Sequence, residues 1–386
     1  MSIGTDLAIK RTHRTDYFMR IAILCNTKSS EYPNRPELIQ RLVDKGHTVF
    51  FGAVYDGAFN PYFESMDNAS YMPIVATRKN VNPFKELVSL FNIREQIKKH
   101  LINVSLIYGV KNHAAMAIGS KLGGAKKVIC VVNGSGNLFT IKGIKGFIIR
   151  AISFPMLRIA YAMSTYVGFQ NKDDEQLFIH KRLVNKNKTF VTNGSGVNLD
   201  AFPLRPMPKE NRFLFLARIT PSKGVFEYIA AARIVKAIYP DATFDIVGPI
   251  DDTVELSCNN QIEEAVRDNV IDYHGKTDDV FYWLERCRYF VYPSYHEGVP
   301  RCAIQAMSVG RPIISCNSPG CKETVEEGVN GFLLPVNDSK AIAEKMCWMI
   351  ENSSQAERMG IESRRITEEK FDVNKVNEQL MQIMNL

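Results

Sequence analysis

The chain has 386 residues, of which 45% are hydrophobic, and this is enough apolar material for two ordinary globular domains. Its 48 Lys and Arg residues exceed its 41 Asp and Glu residues, so the net charge is +7. Eight cysteines lie scattered without the spacing of a metal site, which is typical of thiols in a reducing compartment. The composition therefore argues against a disordered chain and against structural zinc.

The first 18 residues are basic but contain no apolar core of a secretory signal. A cytoplasmic location is therefore expected. Because the first predicted strand begins at Arg20, two interpretations of this segment stay open. Either residues 1–18 form a disordered N-terminal extension, or Met19 is the natural start.

Strand and helix patterns then alternate, which is typical of parallel sheets covered by helices. The predicted strands cover residues 20–24, 48–51, 106–108 and 128–132, and the predicted helices cover 36–45, 113–121 and 172–180. Together they predict a first doubly wound domain over residues 19–200.

A basic stretch lies inside this first domain. From residue 96 to residue 172 the chain has eleven Lys or Arg residues and no Asp or Glu, so the stretch is +11 and the remainder is 7 − 11 = −4. Its residues 141–161 combine large apolar side chains with four basic ones, which favours contact with an anionic membrane surface. The predicted membrane contacts are Lys142, Lys145, Arg150 and Arg158.

This segment has other interpretations. It is alternatively a solvated helix whose apolar face packs on its own domain. Because Arg150, Pro155 and Arg158 interrupt the apolar run, we do not expect it to span a bilayer. Nucleic acid is not an expected partner, since the stretch lacks a recognition motif and interleaved base-stacking aromatics.

A glycine-containing turn near residues 193–197 and three prolines between 203 and 208 predict a connector. The second domain is expected over residues 205–366. Its predicted strands cover 213–216, 243–247 and 289–292, and its predicted helices cover 225–239 and 302–307. A last helix is predicted over 373–383, within a C-terminal segment of residues 367–386.

Polar residues follow two predicted strands of the second domain. Glu297 lies between a strand and a helix N-terminus, and Arg218 and Lys223 follow the strand that ends at residue 216. In open α/β sheets the carboxyl ends of the strands face the ligand crevice, and the free N–H groups of a first helical turn suit a phosphate. The sequence therefore predicts a ligand site at this edge.

The same residues carry a family resemblance. Glu-Gly-Val-Pro at 297–300, Ala-Met at 306–307 and Gly-Arg-Pro at 310–312 resemble the E-x7-E signature of retaining glycosyltransferases of the GT4 family. The continuation over residues 319–333 is similar to the branch that builds capsular and O-antigen polysaccharides. The second glutamate of the signature is replaced here by Gln305.

The resemblance covers the chain from about residue 19 to its end and implies the GT-B architecture. In that α/β fold two Rossmann-like doubly wound domains face a deep cleft, and a C-terminal helix crosses back to the first domain. The first domain would bind the acceptor, and the second would bind a nucleotide-sugar, for which UDP is the expected nucleotide.

The resemblance also implies roles for individual residues. Arg218 and Lys223 match the family's R-x4-K element, whose cations bind the donor diphosphate, and Glu297 would contact hydroxyls of the transferred sugar. Gln305 would lie at the ribose, where an amide accepts fewer hydroxyl protons than a carboxylate, so donor binding is expected to weaken. Backbone N–H groups of residues 298–300 would support sugar and phosphate.

The predicted catalytic residues are Arg218, Lys223 and Glu297, and the predicted donor-binding residues are Gln305, Gly298, Val299, Pro300, Arg301 and Glu323.

Several polar positions stay open. Glu323 either supports the helix terminus near the diphosphate or caps a helix, and Asn171 or Asp173 caps the helix at 172–180. Many relatives carry a histidine where this chain has Asn133, and His113 is a poor substitute. The predicted acceptor or cleft residues are Lys111, Asn133, Gly134, Asn193 and Gly194.

No metal and no cofactor are expected, because Asp251-Asp252 and Asp278-Asp279 lack the middle residue of a DxD motif. No catalytic base is assigned either, since the departing phosphate oxygen can accept the acceptor's proton in a same-face displacement.

The expected activity is transfer of a hexose or N-acetylhexosamine from a UDP-sugar to a polyprenyl-diphosphate-linked saccharide, during O-antigen or capsule assembly at the inner face of the plasma membrane. Two alternatives stay open. One is a transferase for a soluble or other glycolipid acceptor. The other is an inactive scaffold of a polysaccharide-assembly complex, motivated by Gln305 and Asn133.

Overall fold

The computed structural model describes residues 18–76, 83–135, 137–140, 143–251 and 255–386. Residues 1–17 of the expected extension and the predicted membrane contact Lys142 lie outside the described residues. The backbone of Lys145 is described, and its side chain is not.

The first described sheet has seven parallel strands in the order β3-β2-β1-β4-β5-β6-β7. They are β1 (Arg20–Lys28), β2 (Thr48–Val54), β3 (Ala69–Ile74), β4 (Val104–Tyr108), β5 (Lys127–Val132), β6 (Tyr166–Phe169) and β7 (Thr189–Val191). The accompanying helices are α1 (Pro36–Asp44), α2 (Pro83–Lys99), α3 (His113–Leu122), α4 (Asn137–Thr140), α5 (Gly143–Met163) and α6 (Lys172–His180).

The central strands of this sheet are apolar because they are covered on both faces. Alternate residues of β1 point into different clusters: Ala22 packs with residues of α2, α3 and α5, whereas Ile21 and Ile23 pack with α1. The sheet therefore presents its loops, rather than its faces, to ligands.

The second described sheet has six parallel strands in the order β10-β9-β8-β11-β12-β13. They are β8 (Arg212–Leu216), β9 (Thr243–Val247), β10 (Asp272–Tyr273), β11 (Tyr289–Tyr292), β12 (Ile313–Cys316) and β13 (Gly331–Leu334). The helices are α7 (Val225–Ile238), α8 (Glu255–Arg267), α9 (Val280–Arg286), α10 (Arg301–Ser308), α11 (Ser339–Glu351) and α12 (Ser353–Ile366).

The chain ends with a π-helical turn (Thr367–Phe371) and α13 (Val373–Met384). Although α13 follows the second sheet in sequence, Leu380 and Met381 are buried in the cluster beneath the first sheet. On α1, the Arg41 side chain forms a 2.6 Å ion pair with Glu378 of α13. The C-terminal helix therefore lies against the first sheet.

The two parallel, helix-covered sheets confirm the predicted fold class. Every predicted strand and helix named above overlaps an observed element of the same type. The sequence analysis did not identify the full length of α5, and the elements it missed altogether are β3, β6, β7, β10, β12, β13, α2, α4, α8, α9, α11 and α12.

The residues that interrupt the apolar run of the basic segment do not interrupt the helix. α5 runs continuously for 21 residues through Arg150, Pro155 and Arg158. Within the described chain its window Gly146–Met163 is long and apolar enough to cross a membrane by length and composition, although the same property occurs in helices of soluble proteins. Only 22% of that window is buried, so most of α5 lies on the surface.

Candidate active site

Glu297 is held by three donors that converge on one of its carboxylate oxygens. Tyr292 donates to Oε1 at 2.6 Å, Ser294 donates at 3.0 Å, and Lys223 forms an ion pair with the same oxygen. The Lys223 and Glu297 side chains are 21% and 16% exposed, so this pair is largely screened from bulk water. The carboxylate is therefore fixed at the end of β11 with a cation beside it.

Local backbone geometry brings Lys223 to this position. After β8 the chain makes a short 3-10 turn (Pro221–Lys223), and Gly224 then adopts a positive φ of 78° where α7 begins. A Cβ on Gly224 would lie 2.2 Å from the carbonyl oxygen of Pro293. Glycine is thus required there by both conformation and space.

Arg218 lies on the same edge but has a different partner. Its guanidinium is 3.1 Å from the Asp251 carboxylate, and its side chain is 67% exposed. An exposed pair of this kind contributes little stability. The guanidinium is consequently accessible to an anionic ligand that competes with Asp251.

The first domain contacts the Glu297 loop through predicted cleft residues. A Cβ on Gly134 would lie 2.9 Å from the Gly298 nitrogen, and one on Gly298 would lie 2.7 Å from the Asn133 carbonyl carbon. Gly194, at φ 64°, packs against Val299 in the same way. Asn193 is exposed beside it. The structure therefore brings Asn133, Gly134 and Gly194 together with the motif loop.

The expectation that backbone N–H groups of residues 298–300 support the ligand is partly wrong. The Val299 N–H donates to the Gln170 side chain at 3.3 Å, and Pro300 has no N–H. Val299 contacts the first domain instead, and the Pro300 carbonyl accepts from the Ala303 and Ile304 N–H groups at the start of α10, each at 3.2 Å.

Gln305 and Arg301 line a small pocket of about 50 Å³ at the start of α10. The first domain contributes Arg35 and Glu37, and the connector after β7 contributes Ser195 and Asn198. The second signature position thus lies in a crevice between the domains that is lined by both polar and apolar residues.

Two predicted residues have acidic or basic neighbours outside the Glu297 cluster. Glu323 lies in a 3-10 turn (Lys322–Thr324), and burial together with the charge of Asp173 raises the pKa of its carboxyl. Burial lowers the pKa of Lys111, which lies near Glu86 of α2. The described contacts leave the predicted roles of both residues untested.

The histidine at the start of α3 is part of the core. His113 is fully buried, its Nδ1 is 3.0 Å from the Tyr161 hydroxyl, and burial lowers its pKa to about 3. The structure agrees that His113 is no substitute for a cleft histidine. Asn171 caps α6 by accepting from the Asp174 N–H at 2.8 Å.

Sequence reasoning missed a polar cluster that joins the domains. His296 Nε2 is 3.0 Å from the Asp174 carboxylate and 2.9 Å from the Ser135 hydroxyl. These contacts link positions more than 120 residues apart, so no local pattern indicates them. The partners of Glu297 were easier to find. The hydroxyl groups of Tyr292 and Ser294 lie within five residues of Glu297 in the sequence, at and just after the end of β11.

Within the described part of the chain, no three His, Cys, Asp or Glu residues are grouped so as to hold a metal ion. Metal independence stays a prediction, because it concerns the reaction and not the protein alone.

Residues 197–366 match the family described as glycosyl transferases group 1. This match covers the connector from residue 197 onward, the Arg218 and Lys223 loop and the whole E-x7-E region. The family resemblance carried by those motifs is therefore confirmed.

Solved structures identify the architecture as GT-B. HepE of Anabaena, solved in complex with UDP and glucose, superposes with a TM-score of 0.75 over 95% of this chain and 99% of that one, at 18% identity. Sucrose-phosphate synthase from Thermosynechococcus elongatus gives 0.77 over 95% and 98%, at 16% identity. Identities this low establish the shared fold alone.

Sequence relatives include glycosyltransferases named for saccharides linked to undecaprenyl diphosphate. The chain is 24% identical, over 86% of its length and 90% of the relative, to the N,N'-diacetylbacillosaminyl-diphospho-undecaprenol alpha-1,3-N-acetylgalactosaminyltransferase of Campylobacter jejuni. It is 24% identical, over 73% and 74%, to the UDP-Gal:alpha-D-GlcNAc-diphosphoundecaprenol alpha-1,3-galactosyltransferase of Escherichia coli.

Proposed function

We propose that this protein is a retaining, metal-independent glycosyltransferase. It transfers a hexose or N-acetylhexosamine from a UDP-sugar to a polyprenyl-diphosphate-linked saccharide during surface polysaccharide assembly. The observation that carries the proposal is the Lys223–Glu297 pair, fixed by Tyr292 and Ser294 at the edge of the second sheet. The substrates named for the relatives support the choice of donor and acceptor.

The residues divide the chemistry between them. Lys223 and Arg218 neutralise the diphosphate as the bond to the anomeric carbon breaks, since fixed cations stabilise charge that develops in the transition state. When the donor binds, the Arg218 guanidinium leaves the Asp251 carboxylate and pairs with the diphosphate. Glu297 accepts hydrogen bonds from hydroxyls of the sugar. The acceptor oxygen forms the new bond on the same face, and its proton passes to the departing phosphate oxygen.

The acceptor is held at a membrane surface formed by α2 and α5. On α2 the polar residues Glu86 and Ser89 are buried, whereas Phe84, Leu87, Val88 and Phe91 are exposed. In this first half of α2 the polarity is the reverse of an ordinary surface helix and favours a nonaqueous contact. α5 adds five exposed apolar residues, which are Ile144, Phe147, Ile148, Ile152 and Ile159.

The position and charge of these helices suit a lipid-linked substrate. Both helices precede strands of the first sheet, β4 and β6, so their N-termini lie at the edge that carries the strand ends and the cleft. α5 lies within the +11 segment, which begins in the last turn of α2. We therefore place the protein at the anionic inner leaflet of the plasma membrane, as a peripheral protein. Arg158 anchors α5 by donating to the Arg182 carbonyl at 3.0 Å.

A single assay tests donor, acceptor and metal independence together. Purified protein with EDTA is incubated with a panel of UDP- and GDP-sugars and polyprenyl-diphosphate monosaccharides, and the released nucleotide and extended lipid are detected by mass. Sugar transfer to lipid in EDTA is the expected result. Transfer that requires added divalent metal would refute metal independence, and inactivity with no nucleotide binding would favour the scaffold alternative.

A further inference from the structure

Two side chains of the first domain, a hydroxyl and a carboxylate, contact the loop that carries Glu297. Ser135 follows β5 and Asp174 lies in the first turn of α6, and both contact the imidazole of His296. The Asp174 side chain is completely buried, and its other oxygen accepts from Asn171 at 3.1 Å. A buried carboxylate needs such partners, and the His296 imidazole is the one among them that can carry a positive charge.

The first domain also contacts the backbone of the Glu297 loop. The Asn171 amide donates to the carbonyl oxygens of Glu297 at 3.1 Å and Gly298 at 2.8 Å. Because Gly298 also abuts Asn133, a rotation of the first domain away from this loop would break all of these contacts at once.

We propose that His296 is a positioning residue, which joins the two domains through Ser135 and Asp174 and so fixes the Glu297 loop against the first domain when the cleft closes. This inference rests on the proposed transferase function for its catalytic consequence. The contact itself concerns the closure of the cleft and is measurable without substrate.

The charges around His296 determine how this contact depends on pH. Burial lowers the pKa of the imidazole, whereas the hydrogen bond and charge of Asp174 and the charge of Glu297 raise it, and Lys223 opposes them. The balance leaves the pKa above the ordinary histidine value. The added stability of the closed form is therefore fully present below about pH 6.5 and is lost as pH rises through the raised pKa.

The first experiment measures closure alone. Small-angle scattering gives the radius of gyration of the full chain at about pH 6 and about pH 9. We expect wild type to expand at the higher pH and H296Q to be expanded, with a smaller response, at both. D174N should resemble H296Q.

A matched control separates closure from the loss of any His–Asp pair. His274 contacts Asp245 at 2.7 Å entirely within the second domain, so H274Q removes a similar pair without touching the interface. H274Q should keep the wild-type radius and its pH response. If H296Q and D174N also keep both, the inference is overturned. If D174N fails to fold, H296Q and S135A decide the outcome.

The second experiment measures the catalytic consequence. For H296Q we expect kcat/KM for the donor to fall about tenfold at about pH 6 and to lose the decline that wild type shows as pH rises, because a charge-assisted contact becomes a neutral one. If wild type is active and H296Q has the same kinetics, the positioning role is contradicted but the proposed transferase function is not. Inactive wild type whose closure still depends on His296 would contradict the proposed function and leave the interdomain contact established.

Discussion

Lys223 is the residue that links Glu297 to the donor in the proposed reaction. Its ammonium forms the ion pair with Glu297 and, as proposed, neutralises the diphosphate, so a substitution removes a cation and leaves a poorly solvated carboxylate without its charged partner. We expect Lys223→Ala to reduce kcat at least about 100-fold. The measurement is release of UDP from the donor under single-turnover conditions.

The control for this substitution is Lys236→Ala on α7, where the lysine donates to the Ala242 carbonyl at 2.8 Å and lies outside the site. It should retain activity. Near-normal turnover by Lys223→Ala, in a protein with unchanged circular dichroism, would overturn the diphosphate role.

Gln305 is the residue at which this chain departs from the family signature. Restoring a carboxylate with Gln305→Glu should tighten UDP binding by about 1 to 2 kcal/mol, because a carboxylate accepts both ribose hydroxyl protons. Arg35 and Arg301 in the same pocket offset repulsion from Glu37. Calorimetric titration with UDP measures the change.

The exposed Gln355→Glu on α12 adds the same charge away from the pocket and should leave binding unchanged. Weaker or equal UDP affinity in Gln305→Glu would mean that the ribose does not lie beside this position.

At the scale of elements, the apolar stripe on α2 predicts a measurable membrane contribution. Phe84 and Phe91 are 81% and 51% exposed, and replacing both with Asp removes apolar contact and adds repulsion from anionic lipid. We expect sedimentation with vesicles rich in anionic lipid to fall several-fold while neutral vesicles show little binding to either protein.

Ile361→Asp is the matched change, since this residue of α12 is 58% exposed but belongs to the second domain. It should sediment like wild type. Equal vesicle binding by all three proteins at low salt would contradict the proposed membrane surface.

The elements show why some of this structure was predictable and some was not. Strands such as β8 and β11 have buried apolar runs that end in polar loops, so Arg218, Lys223 and Glu297 could be located from local pattern. The bounds of α5 were not predicted, because a proline such as Pro155 ordinarily ends or kinks a helix, whereas α5 continues through it. α2 was not predicted because its first half exposes apolar residues and buries Glu86, which hides the periodicity that Ile93 and Ile97 follow in its second half.

The contacts between the domains could not be predicted from the sequence for a different reason. Ser135, Asp174 and His296 each have an ordinary local environment, in a loop, a helical first turn and a polar loop. Their common position results from the closure of two folded units. The family resemblance supplied the cleft but not these particular partners.

At the scale of the whole molecule, the last helix should control the stability of the first domain. Leu380 of α13 is 2% exposed and packs beneath the first sheet, far from its sequence neighbours in the second domain. Leu380→Ala should lower the free energy of unfolding by about 2 to 5 kcal/mol, through lost burial and the cavity left behind.

Hydrogen exchange measured separately for peptides from β1 and β8 would locate the effect. We expect faster exchange in β1 and little change in β8, whereas the exposed Gln382→Ala on the same helix should alter neither. Faster exchange confined to β8 would mean that α13 stabilises the domain it follows rather than the domain it covers.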